Sequence, residues 1–302
     1  MAEINSTYTY HKNTPIDLMK EFTICESFST PVSEYNIELE VPKSYGAMLG
    51  DFLITQDRLT KGAVIVEIGG GYGSLMNGLL SAHGDLIQRV FMVDLSSALL
   101  RRQRKALQAF SEKITFIQGD IHELIPAITG VDLIIANEVI GDLDTIIDID
   151  PNDPPQEARS VIEAYALEIP HTKPFNLNAG AIRLIEAMCQ NGIPAIVTEH
   201  SCDPIIPEDM DYLAAGLEMD SLPRRISLYD HCEYTIRFSH LVKVAQALGR
   251  QTRTGSLIDI IKLKKTTALK TIFTTRACAT QRQEIIYELL DHIREYRWLI
   301  IE

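Results

Sequence analysis

Ala63-Val-Ile-Val-Glu-Ile-Gly-Gly-Gly-Tyr-Gly73 is an apolar run that ends in an acid and then passes through glycines at alternate positions. A β-branched run of this kind predicts a buried parallel strand. Glycines directly after it let the backbone turn tightly and approach a ligand closely. Ser74-Leu-Met-Asn-Gly-Leu-Leu80 then reads as the start of a helix. A nucleotide-like ligand is expected across this strand-to-helix turn. The competing reading is a glycine turn with no ligand.

Three further signals follow in order. Arg89-Val-Phe-Met-Val-Asp94 is a second strand ending in an acid. A carboxylate there can accept hydrogen bonds from both hydroxyls of a ribose. Ile114-Thr-Phe-Ile-Gln-Gly-Asp120 is a third strand, ending in Gly119-Asp120. Val131-Asp-Leu-Ile-Ile-Ala-Asn-Glu138 is a fourth, ending in Asn137-Glu138. All four polar endings fall at the carboxyl ends of strands, where open α/β sheets bind ligands.

The dinucleotide fingerprint is G-x-G-x-x-G, whereas the spacing here is E-x-G-x-G-x-G. That form resembles class I S-adenosylmethionine (SAM)-dependent methyltransferases. The resemblance implies SAM as cofactor and S-adenosylhomocysteine as product. It implies a cofactor site built from Glu67, Gly69, Gly71, Gly73, Asp94, Leu95, Gly119, Asp120, Ile121 and Asn137, with Asp120 facing the adenine amino group. Glu67 is read either as a contact to the ligand's ammonium or as a partner of the loop backbone.

The chain has 302 residues and is 46% hydrophobic, enough for a large core. No apolar run reaches the roughly 20 residues of a membrane span. The N-terminus has no basic region followed by an apolar stretch, so no secretory signal is expected. The net charge of −13 argues against a nucleic-acid partner and suits a basic protein or a small cationic substrate. Arg101 to Lys105, the most basic stretch, reads as a solvated helix face. The five cysteines, at 25, 189, 202, 232 and 278, form no C-x-x-C pair and read as thiols in a reducing, cytoplasmic setting. His200 with Cys202 and His231 with Cys232 match no zinc spacing, so no metal is expected.

The expected fold is α/β: a doubly wound Rossmann-like sheet, mostly parallel, with an antiparallel C-terminal edge. Residues 1–60 form an N-terminal helical arm and a helix over 44–59 capped by Ser44, with one short helix near Ile16 to Phe22. Residues 61–302 form the cofactor-binding domain, with a helical insertion at about 145–177 before the fifth strand, Pro194 to Glu199. The insertion is expected to act as a lid over the acceptor. Further on, a helix from Ser239 capped by its own hydroxyl, a strand over Leu257 to Leu263 and a last helix over Gln281 to Tyr296 are expected.

Several stretches outside the glycine loop resemble the MidA (DUF185) family. Leu49-Gly-Asp-Phe-Leu matches its Gly-Glu-Trp-like helix. Val93-Asp-Leu-Ser-Ser-Ala-Leu-Leu-Arg-Arg-Gln103 is similar to its V-E-x-S-P-x-L-x-x-x-Q. Ala136-Asn-Glu-Val-Ile-Gly-Asp-Leu143 resembles its A-N-E-F-F-D-A-L, and Glu233 to Leu241 resembles its D-I-T-A-H-V-D-F-S-x-L. The chain departs from it at Ile140-Gly-Asp-Leu-Asp144, where the acid moves and a proline is lost, and at Glu199-His-Ser201. The resemblance implies methyl transfer to a protein side chain, with arginine as the family's acceptor. Small-molecule methylation, a non-catalytic assembly factor and an NAD-type dehydrogenase are the alternatives. Asn137, Glu138 and His200 are the candidate catalytic residues: Glu138 as base or guanidinium ligand, His200 as base. The other reading of Glu138 is a cap on the following helix. The oligomeric state is not specified by the sequence.

Overall fold

The computed structural model describes residues 3–14 and 23–302. The helix expected near Ile16 to Phe22 lies outside the described residues. Among the described residues there are twelve strands: β1 (Glu3–Asn5), β2 (Ala63–Ile68), β3 (Ile87–Asp94), β4 (Ile114–Gln118), β5 (Leu133–Asn137), β6 (Thr145–Ile149), β7 (Phe175–Leu177), β8 (Ala195–His200), β9 (Arg225–Ser227), β10 (Cys232–Tyr234), β11 (Thr252–Ser256) and β12 (Tyr296–Ile301). The helices are α1 (Tyr8–Asn13), α2 (Ile24–Ser27), α3 (Tyr45–Thr55), α4 (Ser74–His83), α5 (Ser97–Ala106), α6 (Ile121–Leu124), α7 (Gln156–Tyr165), α8 (Ala179–Gln190), α9 (Phe238–Ala247), α10 (Ile258–Ile261), α11 (Thr267–Thr275) and α12 (Gln281–Ile293). None is long and apolar enough to cross a membrane.

Seven strands form one sheet in the order β4-β3-β2-β5-β8-β12-β11. The first five run parallel, and β12 is antiparallel to both of its neighbours. Chain order runs outward from β2 through β3 to β4, then returns to the other side of β2 at β5. That reversal leaves a crevice at the carboxyl ends of β2 and β5. The expected fold class is therefore present, including the antiparallel C-terminal edge.

The sheet is covered on both faces, so its strands are apolar on both. Ile65, Leu133 and Ile300 join the core under α3, α4 and α12. Their neighbours Val66, Ile134 and Ile301 join the core under α8 and α9. This is the period-two alternation of a strand.

Helix α3 lies against α4 with little space between the backbones. A Cβ on Gly46 would sit 1.9 Å from Leu75 O. Ser44 occupies the N-cap position of α3, but its hydroxyl makes no capping bond and lies against Gly78 instead. Helix α9 begins at Phe238, and its cap is Asp203 rather than Ser239. The N–H groups of Phe238 and Ser239 donate to the Asp203 carboxylate at 2.9 and 2.8 Å.

Three further expectations differ from the fold. Leu257 to Leu263 holds the short helix α10, buried in the core, and the strand is the preceding Thr252–Ser256. Helix α12 stops at Ile293, and the fully buried Tyr296–Ile301 continues as β12. The insertion contains α7 but also β6 and β7, which pair with β1 in a small antiparallel sheet. Thr145-Ile-Ile-Asp-Ile149 is β-branched, and its partner comes from the N-terminal arm. The basic stretch on α5 is exposed at Arg101, Arg102, Arg104 and Lys105, as expected of a solvated face.

Candidate functional site

The carboxyl ends of the parallel strands open into a cavity of about 750 Å³. Its floor is the turn after β2. Gly69 and Gly71 have φ of 61° and 50°, a region where a side chain is disfavoured. Gly69 N–H donates to Val93 O at 2.9 Å, which ties the turn to β3. Gly73 also has positive φ, at 88°, and forms the N-cap of α4. It faces Gln103 and Leu107 rather than the cavity. The other predicted site residues all line the cavity.

At one end, Asp94 is held by protein groups. Its Oδ1 accepts from Ser96 N–H at 2.8 Å, and its Oδ2 accepts from the Gln103 side-chain amide at 2.8 Å. The same amide donates to Gly71 O at 3.1 Å. Gln103 is fully buried and joins the glycine turn to the acid of β3. It escaped selection as a site residue, although it closes the Val93 to Gln103 stretch. Burial pushes Asp94 up to about 6, against the lowering effect of these hydrogen bonds. Glu67 is pushed up to about 8, first by burial and then by the Asp94 carboxylate. Its Oε2 is buried without a hydrogen-bond partner. Asp120 caps α6, accepting from His122 N–H at 2.8 Å.

At the other end, Glu138 has a left-handed backbone, with φ of 50°. Its carboxylate receives the N–H groups of Ile24 and Cys25, the Tyr296 hydroxyl and the Asn137 side-chain amide. A carboxylate has about four acceptor sites, so protein groups fill them. Glu138 therefore caps a helix, but α2 of the arm rather than the one that follows it in sequence. Asn137 is fixed on its other side by the Thr198 hydroxyl. Burial raises the Glu138 carboxyl despite its four kinds of donor.

Glu199, one strand over, was passed by in the sequence. It accepts from His200 N–H at 2.9 Å and from Gly141 N–H at 3.1 Å, and burial raises it to about 8. His200 is driven down to about 3 by burial, then by the charge of Arg224. Burial thus favours its neutral form, although its Nε2 lies 3.4 Å from Glu295 Oε2. Tyr296 arrives because β12 pairs it with His200.

The roof comes from two segments distant in sequence. One is the arm from Ser6 to His11, and the other is the hairpin β9–β10. Thr7 Oγ1 donates to Asp142 O, and His11 Nε2 lies 3.0 Å from Asp142 Oδ1. Tyr10 stacks on His231, with ring centroids 4.3 Å apart. No residue of 145–177 lines the cavity, so the expected lid is not that insertion. The insertion acts on the site indirectly, since β6 pairs with β1 next to the arm.

Residues 48–144 match the model of a family described as "Putative S-adenosyl-L-methionine-dependent methyltransferase". That segment carries the glycine turn and the acids of β2 and β3. This match and the fold support a SAM-dependent methyltransferase. No curated protein matches this methyltransferase. Its fold is similar to that of an uncharacterized superfamily protein from Burkholderia thailandensis, with a TM-score of 0.60 and 13% identity over 99% of this chain and 87% of that one. A second member of that superfamily from the same organism was solved bound to S-adenosyl-homocysteine. Its TM-score is 0.55 and its identity 13%, over 94% of this chain and 79% of that one. The residues of this methyltransferase fit the cofactor. The unpartnered Oε2 of Glu67 and the positive-φ glycines line one continuous cavity with Asp94.

Proposed function

We propose that this methyltransferase acts on a cationic nitrogen of a protein side chain, with a guanidinium as the best fit. One observation carries the reading. The cavity is lined by nine carboxylate side chains and, among the described residues, by no Lys or Arg. Such a wall favours positively charged ligands and repels anions. The resemblance to the MidA family points the same way.

SAM supplies an electrophilic methyl group on a sulfonium. Glu67 would hold the cofactor's ammonium, and Asp94, kept in place by Gln103, would accept from the ribose hydroxyls. Asp120, Leu95, Gly119 and Ile121 would surround the adenine. Gly69 and Gly71 let the backbone come close, and Gly73 serves this end by starting α4. Asn137 would bridge cofactor and acceptor, and Glu138 would act by holding the arm over both.

The acceptor would lie against Glu199 and His200. In the transfer, the nitrogen lone pair forms the new bond to the methyl carbon, and the sulfur keeps the electrons of the broken one. The nitrogen then gives up a proton. Glu199 suits that step, because a carboxyl raised to about 8 is poised near the working pH. His200, held neutral, would orient the acceptor.

The test is methyl incorporation from labelled SAM into a host lysate, separated into protein and small-molecule fractions. Label on protein arginine supports the reading, and Glu199→Gln should then cut turnover with little change in SAM affinity. Label confined to small molecules would replace the acceptor. No label in either fraction, with SAM bound, would favour an assembly factor.

A further inference from the structure

We propose that the roof of the cavity is a binding site for a divalent transition-metal ion of the zinc class, formed by His11, Asp142 and His231 and supported by Glu233. One donor atom from each of the first three lies within 4.8 Å of the others. They come from the arm, the loop after β5 and the β9–β10 hairpin. An ion there would join three segments that are remote in sequence. The proposal does not depend on the identity of the methyl acceptor.

The donor set is right for the ion. Two imidazoles and a carboxylate are the ligands of zinc sites that keep a fourth position open. Such a position would face the cavity, since all three residues line it. Donors around a tetrahedral zinc ion stand about 3.3 Å apart, from bonds of about 2.0 Å. The side chains need to draw in by at most about 1.5 Å.

The surroundings are those of a ligand set. The His231 side chain is only 6% exposed, and its Nδ1 is buried with no hydrogen-bond partner. Its Nε2 lies 3.0 Å from Glu233 Oε1. Metal-bound imidazoles characteristically have a carboxylate that fixes the ring and its tautomer. Glu233 also reaches the Asp142 carboxyl. Two carboxylates and two imidazoles thus converge where an ion would balance the negative charge. Tyr10, stacked on His231, excludes water from one side. No sequence spacing signals this site, because its residues are spread over more than two hundred positions of the chain.

The experiment uses the purified full chain, stripped with chelator and titrated with Zn²⁺ alone and Co²⁺ alone in the absence of SAM. Binding is read by calorimetry and by the visible spectrum of the cobalt form. The expected result is one ion per chain, with a cobalt spectrum of low coordination number and no thiolate charge-transfer band. His231→Gln and Asp142→Asn should each weaken zinc at least tenfold. Glu233→Gln should weaken it by about 10- to 100-fold. His171→Gln, on an exposed loop, should leave it unchanged. If His231→Gln does not fold by circular dichroism, His11→Gln in the short arm helix carries the test. No stoichiometric uptake, equal affinity in the His11 and Asp142 variants, or a thiolate band pointing to Cys25 or Cys232 would overturn the site. Failure of methyl transfer alone would leave these readouts unaffected.

Discussion

Ile24 donates its backbone N–H to both carboxylate oxygens of Glu138, at 2.9 and 3.1 Å. The same carboxylate receives the Tyr296 hydroxyl at 3.1 Å. One side chain therefore ties the N-terminal arm and the last strand to the end of β5. Glu138→Gln keeps the shape but removes the charge that strengthens these bonds. The expected cost is about 1–3 kcal/mol, seen as a lower thermal midpoint of the ligand-free protein. A midpoint equal to the parent's would mean that the arm is held elsewhere.

In the proposed site, Gln103 would act on the cofactor through Asp94. Gln103→Leu fills the space but leaves Asp94 Oδ2 and Gly71 O without their donor. S-adenosylhomocysteine affinity, measured by calorimetry, should fall about tenfold, equivalent to about 1.4 kcal/mol. Asp94→Ala should lower it at least as much. Parent affinity in a folded Asp94→Ala protein would remove Asp94 from the site.

Glu67 and Glu199 predict a pH dependence whose sign can be worked out. Each is raised to about 8 in the folded chain, against about 4.3 for a free glutamate. Between these values the folded state keeps a proton that the unfolded state has lost. Stability is then greatest below about pH 4.3 as far as these groups decide it, declines as pH rises and levels off above about 8. The ligand-free midpoint should fall from pH 5 to 8, and Glu67→Gln with Glu199→Gln should flatten the slope. A double variant with the parent's slope would locate the effect in other groups.

A cationic ligand favours ionised Glu67, so binding should release a proton near pH 7. Calorimetry in buffers of different ionisation enthalpy measures that release. It should shrink in Glu67→Gln, while the cofactor's own titration remains common to both proteins. Equal release in the two would separate Glu67 from the ammonium.

Gly46→Ala tests the packing that supports the glycine turn from below. The added methyl would lie 1.9 Å from Leu75 O and 2.6 Å from Leu79 N, both backbone atoms that cannot rotate away. Helix α3 must move off α4, at a cost of about 1–3 kcal/mol or more. Chemical denaturation should show a lower midpoint with an unchanged slope. Full stability would mean that the two helices can slide.

The parallel half of the fold was legible because each of its signals is local. Ala63 to Ile68 is apolar and β-branched, Gly69 to Gly73 follows at once, and Asp94, Asp120 and Asn137 end successive strands within a few residues of their apolar runs. Hydrophobic period and turn chemistry act over such distances. The fold departs from the local pattern where the partner is remote. The last helix reads as running on to Tyr296, but that residue opens β12, which β8 and β11 flank on either side. Leu257 to Leu263 reads as a strand, yet Ile258–Ile261 forms a turn of helix packed into the core. Thr145–Ile149 looks like part of a helical insertion until β1, from the other end of the chain, pairs with it.

The sequence by itself determined the sheet edge proposed for the cofactor: which strands form it, which acids end them and where the glycines let a ligand approach. Those features depend on the backbone freedom of single residues and on short apolar runs. Only the tertiary structure decided what covers that site and which carboxylates remain available inside it. Ile24, Asp142, His231 and Tyr296 meet there through long-range sheet pairing and buried hydrogen bonds. Glu138 fits a base or a guanidinium ligand in the sequence, yet in the folded chain it is surrounded by donors. Glu199, unremarkable in the sequence, is left buried at the end proposed for the acceptor. A carboxylate's role is set by its neighbours and its desolvation, and neither exists until the chain has folded.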